Sequence, residues 1–142
     1  MNIMVAVLRF LLALVCGALI GLEREARDKE AGLRTHILVA LGACLFGMLG
    51  LLISAETGEA DPLRVAQGIL IGIGFLGAGV IMREGASIKG LTTAAGIWVM
   101  GGIGLACGTG YYVLAIAGTV FSFLTIVLFT RIEGKIKGDK GK

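Results

Sequence analysis

The chain has 142 residues, of which 56 % are hydrophobic and 16 % charged, with 24 Gly, a single Pro and a formal net charge of +3. A mean hydropathy of +0.92 excludes a disordered chain, which needs low hydrophobicity and high net charge. It also excludes a small soluble domain, whose interior could not hide that much apolar surface, so the composition predicts an all-α, polytopic integral membrane protein with an unusual share of glycine inside its spans.

The first apolar run covers residues 3–22. No Lys or Arg precedes it and Arg9 lies within it, so it reads as an uncleaved first span, not a secretory signal. Glu23/Arg27 and Glu25/Lys29 are i,i+4 pairs with Glu first, which predicts that this helix continues past the membrane and stops at Gly32. The second span covers 37–53. Asp61 and Pro62 open a third over 63–82, which Gly85 ends. The fourth, 92–107, is short and is capped by Thr92 or Thr93. The fifth covers 111–130, with Tyr111 and Tyr112 as interface anchors. Trp98 is mid-span, which predicts packing against a glycine groove. Residues 1–142 thus form one transmembrane domain, and 131–142 a basic cytoplasmic tail.

Lys and Arg set the orientation. Arg24, Arg27, Lys29, Arg34, Arg83, Lys89 and the basic tail fall on one side, with Arg64 on the other and Arg9 snorkelling from the first span. The N-terminus is expected outside and the C-terminus in the cytoplasm. Because the basic residues flank apolar runs, they predict topology and contact with membrane lipid, with no nucleic-acid partner. Cys16, Cys44 and Cys107 lie in separate runs without a spacing motif, which predicts neither a disulfide framework nor a zinc site.

Two loops share a pattern. Arg24-Glu25 is followed by Gly32-Leu33-Arg34-Thr35, and Arg83-Glu84 by Gly90-Leu91-Thr92-Thr93. This predicts a duplicated helical hairpin plus a fifth helix, the hairpins being related by an axis along the membrane normal. Gly17 and Gly21, Gly68 and Gly72, and Gly104 and Gly108 have the spacing at which helices in lipid approach closely, and Gly74, Gly77 and Gly79 add to the third span. That span is therefore expected to be the central helix, and the glycine faces of spans one and three predict a homo-oligomer, most simply a twofold dimer. Gly72-Ile73-Gly74-Phe75-Leu76-Gly77 has the outline of a dinucleotide fingerprint, but it lies inside an apolar helix with no strand or turn before it.

The candidate ligand- or partner-binding residues gather at the cytoplasmic span ends: Glu23, Arg24, Arg34, Thr35, Arg83, Glu84, Thr92 and Thr93. Ionisable groups at a membrane edge are costly unless paired or wet, and they mark pathways; topology anchoring is the alternative reading. Glu23, Asp28 and Glu84 are oxygen donors suited to Mg²⁺ as a ligand or substrate, in competition with the neighbouring Arg residues. His36 is alone, which gives no metal site but leaves a pH role open. No nucleophile–base pair is present, so no catalytic residue and no enzyme activity are expected. Gln67, one turn inside the third span, is a candidate for an interhelical hydrogen bond.

Four stretches resemble the MgtC/SapB family of bacterial membrane proteins: Gly17 to Arg24, Ala31 to His36, Gly72 to Gly85, and Lys89 to Ala95. The likeness extends over about residues 4 to 130. It implies a protein of the bacterial cytoplasmic membrane linked to growth at low magnesium and, in pathogens, to virulence. It also implies that some members regulate other membrane machines, including the ATP synthase. Larger members carry a soluble C-terminal domain, whereas this chain ends at Lys142, and Thr92 stands where some relatives have Asn. The combined expectation is magnesium-related ion homeostasis by transport through a polar cytoplasmic site, or regulation of another membrane complex without transport.

Overall fold

A computed structural model describes residues 2–58 and 61–139, with the backbone alone for Pro62, Leu63, Glu84 and 133–139. Its elements run α1 (Ile3–Glu25), α2 (Leu33–Thr57), α3 (Pro62–Gly79), β1 (Met82–Glu84), β2 (Ser87–Lys89), α4 (Leu91–Thr109) and α5 (Tyr112–Asp139). Among the described residues, four helices are long and apolar enough to cross a membrane: α1, α2, α4 and the Tyr112–Ile132 part of α5. The fourth helix, at 19 residues, is longer than the expected 92–107 and similar in length to α3, at 18 residues.

Local chemistry sets the ends. Asn2 caps α1, its Oδ1 accepting from the Met4 N–H at 3.0 Å. The helix then stops at Glu25, well short of Gly32. Asp28 takes a left-handed conformation (φ 50°), which Asp tolerates better than most residues, and the Lys29 N–H closes back on the Arg24 carbonyl at 3.1 Å. The Glu23/Arg27 pair survives, but Glu25 serves elsewhere: its Oε2 accepts from the Leu33 N–H at 2.9 Å and satisfies the start of α2. Pro62 opens α3 as expected.

Residues 80–90 differ from the expected helix end. Two tight turns, Val80 N–H to Gly77 and Ile81 N–H to Ala78, end α3, and an antiparallel hairpin follows with Arg83 opposite Ile88. Gly85, at φ 62°, opens its two-residue loop. Gly90 (φ 85°) begins α4 with no side-chain cap, so neither Thr92 nor Thr93 has the capping role. A Cβ at Gly90 would overlap the Val80 carbonyl, which ties the hairpin's exit to the end of α3.

The core lies where α1, α2 and α4 meet, with α2 against α4 as the most extensive contact. Ala13, Ile20, Ala40, Cys44, Ile97, Met100 and Cys107 fill it, and all three cysteines are buried free thiols. α2 and α4 are therefore the central pair, and α3 is peripheral. The expected packing glycines divide accordingly. Gly17 and Gly21 press α1 onto the backbone of Ile37 and Leu33, with an added Cβ only 2.8 Å from either Cα. Gly77 meets Ala94. Nothing lies within 4 Å of a Cβ at Gly68, Gly72, Gly74 or Gly79. The closest backbone approach between helices is at Gly104 and Gly108 of α4 against α2, a pair with the same four-residue spacing. Trp98 is 50 % exposed on the bundle surface, not packed in a groove.

Helix contacts respect the duplicated pattern. α1 packs on α2 as α3 packs on α4, and α2–α4 is the shared centre. At the end away from the hairpin, Arg9 does more than snorkel. Its Nη1 donates to the Gly108 carbonyl at 2.6 Å and its Nε to Tyr112 Oη at 3.3 Å, placing a cation at the carboxyl end of α4.

Candidate functional site

The buried face of α1 reads Ala13, Cys16, Gly17, Ile20, Gly21, Arg24. Arg24 is the next position on an apolar stripe of helical period, so the fold carries its guanidinium into the bundle, where it is 4 % exposed. Its Nη2 donates to Thr93 Oγ1 at 3.2 Å, and the Thr93 hydroxyl donates to Glu30 Oε2 at 2.7 Å. On the other side, Glu23 lies 3.8 Å from Arg24 and 2.5 Å from Arg27 Nε. The result is a chain of polar groups, Glu30–Thr93–Arg24–Glu23–Arg27, that links α1, the α1–α2 connection and the start of α4. Both Glu23 oxygens are shut off from water, and neither is aligned for a hydrogen bond despite the ion pairs.

His36 is the wedge beside this chain. It is completely buried, with Gly21 beneath its Cβ and Gly17 against its carbonyl. Its Nδ1 donates to the Gly32 carbonyl at 2.9 Å, because a carbonyl can only accept; Nε2 then carries the lone pair, faces Gly96 and has no partner.

Of the candidate residues, the fold joins Glu23, Arg24 and Thr93. Arg34 and Thr35 are exposed on the first turn of α2, and Arg83 is exposed in β1, its Nε donating to the Gly85 carbonyl at 3.1 Å. Thr92 is exposed and lines a shallow groove with Ser122 and Thr125 of α5. The Glu84 side chain lies outside the described residues. Among the described residues no three His, Cys, Asp or Glu side chains converge as a metal-holding group; of the oxygen donors Glu23, Asp28 and Glu84 considered for Mg²⁺, the Glu84 side chain is not among those residues. Glu30 is the member that sequence reasoning missed. It is a loop glutamate 63 positions from Thr93, and no local pattern reports that contact.

The Thr93 hydroxyl is the main reason that the Glu30 carboxyl is held below the usual carboxylate range, with help from its own backbone N–H, Lys29 and Arg24. A lowered folded-state pKa means that the contact is at full strength above about pH 4.3, the free glutamate value, and is lost as pH falls through the lowered value. A ¹³C carboxyl titration of Glu30 in nanodiscs checks this. In Thr93→Val the midpoint is expected to move back up towards that of free glutamate.

The MgtC family profile matches residues 10–135, which take in the polar chain, the hairpin and most of every helix. The chain belongs to the MgtC family. It is 46 % identical over 130 residues to protein MgtC of Salmonella typhimurium, covering 92 % of this chain and 54 % of that one. It is 41 % identical over 131 residues to YhiD of Escherichia coli K12, which bears the provisional name of magnesium transporter; the match covers 89 % of this chain and 60 % of YhiD. With protein MgtC of Brucella abortus it shares 48 % identity over 109 residues, 77 % of this chain and 44 % of that one. The chain thus spans about half the length of these relatives. No solved structure matches it. Membership of the MgtC family and the long apolar helices make it a multi-pass membrane protein.

Proposed function

We propose that this MgtC-family chain serves magnesium homeostasis in the bacterial cytoplasmic membrane as a regulator, with its charged end in the cytoplasm. The magnesium link rests on the naming of YhiD and on the family resemblance. The orientation rests on the concentration of Lys and Arg at the end that holds the α1–α2 connection and the hairpin.

One observation carries the regulatory reading. The centre of the bundle is filled by apolar side chains and by direct α2–α4 backbone contact, whereas the polar groups are collected at one end and tied into a chain across three segments. Such a chain couples the position of a surface loop to the start of a core helix, which is what a membrane protein needs to signal its state to a partner complex. The ATP synthase, implied by the resemblance, is one such complex.

Transport keeps its own support in Glu23, a water-inaccessible carboxylate whose oxygens lack aligned donors. Liposomes loaded with a Mg²⁺ indicator separate the two readings. Regulation predicts no influx above protein-free liposomes, together with restored growth of a deletion strain at limiting magnesium. A saturable influx that disappears in Glu23→Gln would establish transport in its place.

A further inference from the structure

α3 is held from one side. Ile69, Ile73 and Gly77 are buried, with Ile73 against Gly101 and Gly77 against Ala94 of α4. On the opposite face Gln67, Ile71, Gly74 and Ala78 follow one another at steps of four, three and four residues, and all four are exposed, Ile71 to 76 %. Those steps average about 3.7 residues, close to the 3.6-residue turn, so the four residues form one stripe along the helix.

Acyl chains can cover apolar and small residues, but they offer Gln67 no hydrogen bond. Gln67 is the one polar side chain of α3 beyond Arg64. It lies about 7.5 Å along the axis from Pro62, at 1.5 Å per residue. No hydrogen bond joins its side chain to any described residue. A primary amide facing hydrocarbon without a partner is costly, and an occupant of this face has to supply both a donor and an acceptor at that depth.

We propose that the Gln67–Ile71–Gly74–Ala78 face of α3 is a homodimer interface. A twofold axis along the membrane normal sets α3 parallel to its copy, so each residue meets itself at equal depth. The two Gln67 amides then donate to and accept from each other, since one amide holds both functions. Gly74 and Ala78 allow the backbones to close, and Ile71 fills the seam. A second copy meets the polar requirement by symmetry, whereas an unrelated helix would have to carry its own amide or hydroxyl at the same level. The interface does not use Gly17 and Gly21, which are consumed within one copy, and it stands whether or not the protein carries an ion.

Förster transfer between labelled copies in liposomes, at graded protein-to-lipid ratios, measures the association. Gln67→Leu is expected to weaken it roughly five- to thirty-fold, the range found for polar pairs between membrane helices. Gly74→Leu is expected to weaken it at least as much by blocking the approach. It leaves the single copy folded, because nothing lies within 4 Å of a Cβ there. In native membranes under oxidation, Gln67→Cys, Ile71→Cys, Gly74→Cys and Ala78→Cys are expected to form crosslinked dimers above the background set by the three buried native cysteines, and Leu76→Cys is not. A monomer at every density, a dimer indifferent to Gln67→Leu or Gly74→Leu, or seam crosslinks that join a different protein overturns the proposal.

Discussion

Gly108→Ala is expected to destabilise the bundle by about 1–3 kcal/mol, the usual cost of overpacking a tight core, even though it adds a single methyl group. A Cβ at Gly108 would overlap the Cys44 carbonyl, and one at Gly104 the Ala40 carbonyl. In both cases the obstacle is backbone of the facing helix, which cannot rotate away as a side chain would. α2 and α4 would have to separate, and with them the core that α1 closes. The same change at Gly72 provides the comparison, because open space lies there and stability is expected to stay within about 0.5 kcal/mol of the parent. Unfolding of the purified protein in mixed micelles, followed by circular dichroism against increasing SDS, measures both. Equal effects at Gly108 and Gly72 would refute the α2–α4 contact described above.

Arg24→Ala is expected to cost more, roughly 3–5 kcal/mol, because it breaks a buried ion pair from one side. It leaves Glu23 inside with only Arg27 and removes the donor to Thr93 Oγ1. Loss of folded protein in detergent is one readout, and failure to restore growth at limiting magnesium is the other. Arg24→Lys is expected to rescue little. An ammonium is a point charge on a flexible stem, whereas the guanidinium reaches Thr93 through Nη2 and Glu23 through Nη1 at the same time. Double substitution with Glu23→Gln is expected to recover part of the loss, since the uncompensated charge is then gone. A variant lacking Arg24 alone that folds and functions as the parent does would remove the polar chain from any role.

Much of the architecture was legible in the residues. Apolar runs of membrane length gave the helices, and Pro62 gave the start of α3. These features are local, since each depends on residues within a few turns. The hairpin was hidden because Arg83-Glu84-Gly85 also fits a helix end, and only the approach of Gly90 to the Val80 carbonyl decides between them. The role of α3 was misread for a related reason. Glycine spacing tells how closely a helix can be approached, not by what.

The candidate site divides along the same line. Membership of Glu23, Arg24 and Thr93 followed from charged or hydroxyl residues at span ends. Glu30 joined only because the short α1–α2 connection turns back at Asp28 and brings the carboxylate to α4. Arg34, Thr35, Arg83 and Thr92 share the same sequence signal and remain on the surface.

The sequence by itself determined that this chain is a membrane-embedded protein of five apolar helices, and that polar residues collect at one set of their ends. Hydrophobicity and period suffice for that, because each residue's transfer to lipid is a local free energy. Only the tertiary structure decided which glycines are in contact, which helices are central and which charges are joined. Those outcomes depend on pairs such as Gly108 with Cys44 and Thr93 with Glu30, far apart in the chain, whose meeting is set by how the whole bundle packs.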